Sequence, residues 1–109
     1  TLVARGDKTG FVVFCIPVAE ELDLKKAARA SKNKSVELLH VKDLLPTTGY
    51  IRGGCSPVGM KKEFPTYIDE TAMLFDAIAV SGGMRGVQLI VNPDQLLGFV
   101  KGEYVDLTA

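Results

Sequence analysis

The run Phe11-Val12-Val13-Phe14-Cys15-Ile16 constrains the fold more than any other stretch of the chain. Six consecutive apolar residues, bounded by Gly10 and Pro17, lack the alternation of a strand with one wet face. They read as a strand buried on both faces, ended by the proline. Leu2-Val3-Ala4 is a shorter strand before it, and Arg5-Gly6-Asp7-Lys8-Thr9-Gly10 between them is turn chemistry. The pair reads as a hairpin.

Downstream, Asp23 caps a helix predicted over Leu24 to Ser31, with Leu24, Ala27, Ala28 and Ser31 on one narrow face. Val36 to Leu39 reads as a strand, and Lys42 to Leu45 as a short helical turn closed by Pro46. Phe64 to Ile68 is extended, and Asp69-Glu70-Thr71 caps a brief helix through about Phe75. Ile78-Ala79-Val80 and Val87 to Val91 are strands. Asn92 caps a helix with Pro93 at its first position, running to about Val100, and Tyr104 to Leu107 is a last strand. Short strands, hairpin connections and a few helices argue for an α+β fold with a mixed, largely antiparallel sheet.

At 109 residues the chain forms one domain. With 47% hydrophobic residues and a mean hydropathy of +0.18 it can fill one core. Formal net charge is zero, so there is no global polybasic field, and a nucleic-acid partner would need a local patch. One exists in the sequence: Lys25, Lys26, Arg29, Lys32 and Lys34 carry five cations with no acid among them. This is either a solvated helix face or a surface that tracks phosphates. No apolar run approaches the roughly 20 residues of a membrane span, and no signal-peptide pattern opens the chain. Cys15 and Cys55 are isolated thiols without paired spacing, so structural zinc is not expected and a cytoplasmic location is.

The stretch least like ordinary packing is Thr48-Gly49-Tyr50-Ile51-Arg52-Gly53-Gly54-Cys55-Ser56-Pro57-Val58-Gly59-Met60-Lys61-Lys62. Paired glycines, a Ser-Pro step and two lysines make a semi-rigid loop with backbone donors available to an anionic or ribose-bearing ligand. The same residues also suit a tight turn that binds nothing. A second glycine pair, Gly82-Gly83, again follows a strand. Conventional catalysts are scarce. His40 is the one histidine, with no acid or nucleophile arranged around it, so a Ser/His or Cys/His pair with Ser56, Ser81 or Cys55 is not expected.

Gly53-Gly54-Cys55-Ser56-Pro57-Val58-Gly59-Met60-Lys61-Lys62 resembles the GGxSPxGxKK signature of the YbaK/EbsC family, free-standing aminoacyl-tRNA deacylases related to the editing domain of bacterial prolyl-tRNA synthetase. Leu22 to Ala28 resembles the family's LDLKKxA helix, and Val80 to Gly86 its VSGGxRG segment. Together the three motifs cover nearly the whole chain. The resemblance implies a curved mixed sheet or pseudo-barrel flanked by helices. It implies hydrolysis of mischarged Cys-tRNA(Pro), without metal or organic cofactor, by attack of the substrate's own thiol on its ester. It implies that Gly53 and Gly54 approach the ester and that Thr1, Ser56, Ser81, Gly82 and Gly83 hold the substrate. With tRNA as substrate, the cations Lys25, Lys26, Arg29, Lys32, Lys61 and Lys62 are expected to meet its phosphates. Cys55 falls where the family accepts an apolar residue, so a structural role is expected for it. The implied partners are tRNA and prolyl-tRNA synthetase, with no membrane.

Two departures qualify the match. The family's key lysine immediately precedes the position of Thr1, so the chain reads as a domain cut short at its N-terminus. It is expected to be nearly inactive as printed, with a first strand that lacks neighbours. Gln88 stands where some relatives carry an acid. Alternatives are an Ala-tRNA(Pro) editing relative, a non-catalytic module binding tRNA or prolyl-tRNA synthetase, and an unrelated domain whose glycine loop holds a nucleotide.

Overall fold

The computed structural model describes residues 1–50, 55–60, 64–84 and 86–109. In chain order the elements are β1 (Leu2–Gly6), β2 (Gly10–Cys15), α1 (Leu24–Ala30), β3 (Val36–Leu38), α2 (Val41–Thr48) and β4 (Thr66–Asp69). A 3₁₀ turn (Glu70–Leu74), β5 (Ile78–Ser81), β6 (Gln88–Val91), α3 (Pro93–Val100) and β7 (Glu103–Val105) follow. Five strands form one sheet in the order β3-β1-β2-β4-β7, while β5 and β6 form a separate antiparallel ribbon. β1 pairs antiparallel with β2 and β3, whereas β4 pairs parallel with β2 and β7. The α+β class with a mixed sheet is therefore the observed one. The expectation that the first strand lacks neighbours is corrected, since β1 has a partner along each edge.

β2 is central, and its apolar run is divided between two cores as the alternation of side chains requires. Val13 and Cys15 face one way, toward Val3, Ile68, Val80 and Leu96. Val12 and Phe14 face the other, toward Ala4, Ala27, Ala28, Val36 and Leu107. Phe14 is fully buried and stacks on Tyr67, with centroids 5.9 Å apart.

α1 starts where expected. The Asp23 carboxylate accepts the N–H groups of Lys25 and Lys26. Backbone bonds to the cap hold this carboxyl below the usual carboxylate range, Lys26 N–H most of all. Ala27, Ala28 and Ser31 are buried, but Leu24 is 45% exposed; Leu22, ahead of the cap, packs into that core in its stead. The helix ends at Ala30, with Lys32 at φ 63°. Lys32 N–H reaches Arg29 O and Asn33 N–H reaches Ala28 O, closing the end with a left-handed residue where glycine is usual.

Asn33 then ties helix to hairpin. Its Oδ1 accepts from the backbone of Lys8 and Thr9 at 2.9 and 3.0 Å, and its Nδ2 donates to Thr9 Oγ1 and Ser31 Oγ. Gly6 has no Cβ because one would lie 2.3 Å from the Asn33 amide. Asp7, alongside, accepts from Lys34 and Ser35 N–H.

The helical turn expected to stop at Pro46 instead runs through it to Thr48. The proline forfeits one intrahelical bond. Thr48 Oγ1 donates to Leu44 O at 2.8 Å and Gly49 N–H to Leu45 O at 2.8 Å, so the last turn still closes.

Candidate functional site

The ribbon β5–β6, the 3₁₀ turn and the ends of β2 and β4 enclose a cavity of about 450 Å³. Two of the residues expected to hold substrate, Thr1 and Ser81, both line it. Antiparallel register sets Ser81 directly opposite Gln88, and both reach the cavity. Ser81 Oγ accepts from Gly83 N–H at 3.2 Å, so its own O–H is available to donate. Thr1 Oγ1 lies 3.8 Å from Cys15 Sγ. Cys15, Ile68, Ile78 and Val80 make much of the remaining wall apolar.

Asp69 is the buried acid at this cavity, and its oxygens are taken. Oδ1 accepts Leu107 N–H, and Oδ2 accepts both Thr71 N–H and Thr71 Oγ1–H. Those bonds cap the 3₁₀ turn and anchor the segment after β7, so Asp69 is a structural carboxylate. Desolvation pushes the Cys15 thiol upward, which makes it a poor nucleophile. The Cys55 thiol is raised by burial too, and it sits in the same core as Cys15. His40 stands exposed at the start of α2, makes no side-chain cap bond and lines neither cavity described here. Among the described residues no three His, Cys, Asp or Glu side chains gather as metal ligands.

Gly53, Gly54, Lys61, Lys62 and Arg85 lie outside the described residues. The adjoining part of their loop is connected to the second glycine pair by Tyr50. Its hydroxyl donates to Val58 O at 2.6 Å, and its ring packs on Gly83, where a Cβ would meet Cε1 at 3.0 Å. Gly83 has φ 97°, so a side chain would be strained as well as crowded. Gly82 closes the ribbon turn through its N–H to Val87 O at 2.8 Å. Ser56 is buried, its Oγ accepts Val58 N–H within the loop, and it lines neither cavity described here. Tyr50 belongs to the stretch that the sequence marks out, but its contact with Gly83 has no signal there beyond a position just before a glycine-rich loop. A second cavity of about 250 Å³ lies across the loop, against α3.

Of the basic residues, Lys25, Arg29, Lys32 and Lys34 are exposed. Lys26 has partners within the chain. Its Nζ pairs with Asp106 at 2.9 Å and donates to Thr108 O at 2.7 Å, holding the segment after β7 against α1. No helix among the described residues is long and apolar enough to cross a membrane.

The family model for the aminoacyl-tRNA editing domain matches residues 1–99. Over 108 residues the chain is 57% identical to EbsC of Enterococcus faecalis, a proposed Cys-tRNA(Pro)/Cys-tRNA(Cys) deacylase; the match covers 99% of this chain and 66% of that protein. The chain thus spans just under two thirds of the length of that curated relative. A crystal structure of a proposed trans-editing enzyme for prolyl-tRNA synthetase superposes with a TM-score of 0.89 at 28% identity, over 99% of this chain and 68% of that one. The hypothetical protein APE2540 shares the fold at a TM-score of 0.91 and 20% identity, over 100% of this chain and 72% of that one. The family match, the close relative and the shared fold agree over nearly the whole sequence, and the chain belongs to the aminoacyl-tRNA editing domain family.

Proposed function

We propose that this domain is the deacylating part of an enzyme that clears Cys-tRNA(Pro) in the cytoplasm. The observation that carries the reading is the larger cavity. It joins Thr1 to Ser81, has the second glycine pair behind it, and offers no described histidine or unengaged buried carboxylate. Such a site works by positioning and electrostatics. The substrate thiol sulfur attacks its own ester carbon, the bond to the terminal ribose oxygen breaks, and that oxygen takes the proton the thiol loses. The amino acid leaves as a cyclic thiolactone. Holding sulfur and carbonyl in contact supplies up to roughly 7–11 kcal/mol. A preset donor to the developing oxyanion adds about 3 kcal/mol. Ser81 O–H is a described donor at the cavity, Thr1 holds the ribose end, and Gly53 and Gly54 supply backbone N–H groups to the ester. Gln88 offers a neutral amide where some relatives have an acid, and it bears on amino-acid choice. Lys25, Arg29, Lys32, Lys61 and Lys62 meet phosphates of the tRNA, and a synthetase partner delivers it.

A deacylation time course on Cys-tRNA(Pro) tests this, run beside Ala-tRNA(Pro) and with a chain extended through the lysine that the family resemblance puts before Thr1. Faster loss of the cysteinyl ester, restored or increased by the extension, supports the reading. Loss of the alanyl ester alone reassigns the substrate, and loss of neither removes the activity. The exposed cations of α1 favour one other reading, a tRNA-binding module without turnover. Binding that falls steeply with salt while both esters survive would establish it.

A further inference from the structure

Three phenylalanines, Phe11 of β2, Phe64 and Phe99 of α3, lie at or next to a cavity beside the loop 55–60. Phe11 of β2 meets Phe64 edge-on, with ring centroids 5.7 Å apart and planes at 70°. Arg5, the register partner of Phe11 on β1, holds its guanidinium 5.1 Å from the Phe11 centroid. Phe64 lines the smaller cavity together with the loop residues Pro57, Val58 and Gly59 and with Phe99 of α3. Phe99 is 72% exposed, and Lys101 just beyond it is exposed as well. Glu37 of β3 is the register partner of Arg5 and offsets its charge, so Lys101 is the exposed described cation nearest Phe99 in sequence.

The chemistry of this slot is narrow. Its volume of about 250 Å³ is below that of a drug-sized pocket and suits one flat ring system. Among the described residues, its walls are aromatic rings, apolar side chains and backbone. The one side-chain hydroxyl among its described residues, Thr66 Oγ1, donates internally to Phe64 O at 3.0 Å. A ligand here gains from stacking and apolar contact, with exposed Lys101 next in sequence to the wall residue Val100 for a phosphate. That combination recognises unpaired nucleobases with little choice among them. The slot is also linked to the candidate site through side-chain contacts. Val58, one of its walls, accepts the hydroxyl of Tyr50, whose ring rests on Gly83, two residues from Ser81 in the larger cavity.

We propose that the slot between Phe64 and Phe99 stacks an unpaired nucleobase of the single-stranded 3′ end of tRNA, while the aminoacyl ester enters the larger cavity. The inference rests on the deacylase reading for its substrate, but its test does not. The chain has no tryptophan, so Phe99→Trp gives a single reporter at the slot. Titration with a short single-stranded RNA of the tRNA 3′ sequence, unesterified, is expected to quench that emission saturably. The same backbone with abasic sites is expected to leave it unchanged. An equal response to both strands means phosphate contact alone and overturns the proposal. So does an emission already shielded and unresponsive, which means that protein covers the slot. In deacylation, Phe99→Ala is expected to raise KM for aminoacyl-tRNA about tenfold with kcat within about twofold, and Phe99→Tyr to restore it; an unchanged KM also overturns the proposal. If the chain extended through the family lysine hydrolyses no ester either, the deacylase reading fails while the quenching experiment still decides the slot.

Discussion

The five-stranded sheet and the β5–β6 ribbon are built from similar residues and treated differently by the fold. On β2, Val12, Val13 and Phe14 are wholly buried between two cores. On the ribbon only Val80 is buried, while Leu89 and Ile90 are 45% and 70% exposed. The sheet stores the stability; the ribbon presents Ser81 and Gln88 to the cavity with little packed behind β6. Elements that must accept a ligand are commonly drawn from the weakly buried part of a structure. Here that division runs along a single chain of short strands.

The sharpest way to break the comparison is to cut into each half. Phe14→Ala should lose about 3–5 kcal/mol in urea unfolding, whereas Ile90→Ala should stay within about 0.5 kcal/mol. Equal losses would show that the ribbon is packed as firmly as the sheet. Asn33→Ala removes the acceptor for two backbone N–H groups and should cost about 2–3 kcal/mol by the same measurement. A loss under about 0.5 kcal/mol would mean water replaces the amide without penalty.

Acid should also act on the sheet side first. Asp7 is held below the usual carboxylate range, chiefly by Ser35 N–H, and Asp23 chiefly by Lys26 N–H. A depressed folded pKa gives stability that is complete above the unfolded value near 3.9 and is lost as pH falls through the folded one. Asp23→Asn keeps the cap acceptor and removes its charge, so its unfolding midpoint should vary less with pH below about 4 than that of wild type. Parallel curves would remove Asp23 from the account. The smallest effect is expected at the end of α1. Lys32→Gly relieves a left-handed lysine and should stabilise by about 0.5 kcal/mol, read as a small rise in Tm. A fall would mean that the lysine side chain contributes more there than its backbone costs.

Much of the fold was legible where the signal is local. Asn92 and Pro93 announce α3, which spans Pro93–Val100, and Asn92 Oδ1 accepts Gln95 N–H as a cap should. The unbroken Phe11–Ile16 run announced a doubly covered strand. Pro46 misled because the bonds that carry α2 past it come from Thr48 and Gly49, two and three residues on. The neighbours of β1 could not be counted before Val36 was known to return to Gly6. In the candidate site, Thr1 and Ser81 were named from motif resemblance, and the fold brings them to one cavity. The roles of Tyr50 and Asn33 were not legible because they depend on partners far along the chain, Gly83 for one and Thr9 for the other.

The parallel pairings of the sheet carry a kinetic consequence. β1 and β2 can close as a hairpin soon after they form, on a microsecond scale. Val13, however, pairs with Thr66, about half the sequence away, and Tyr67 then pairs with Glu103. Each step must close a long loop before it gains a contact, which slows folding toward milliseconds or longer. Until β4 arrives, one edge of β2 is unpaired between two unfinished cores. During synthesis that edge must wait for residues not yet made, and a chaperone that shields Phe11–Ile16 would gain most in that interval.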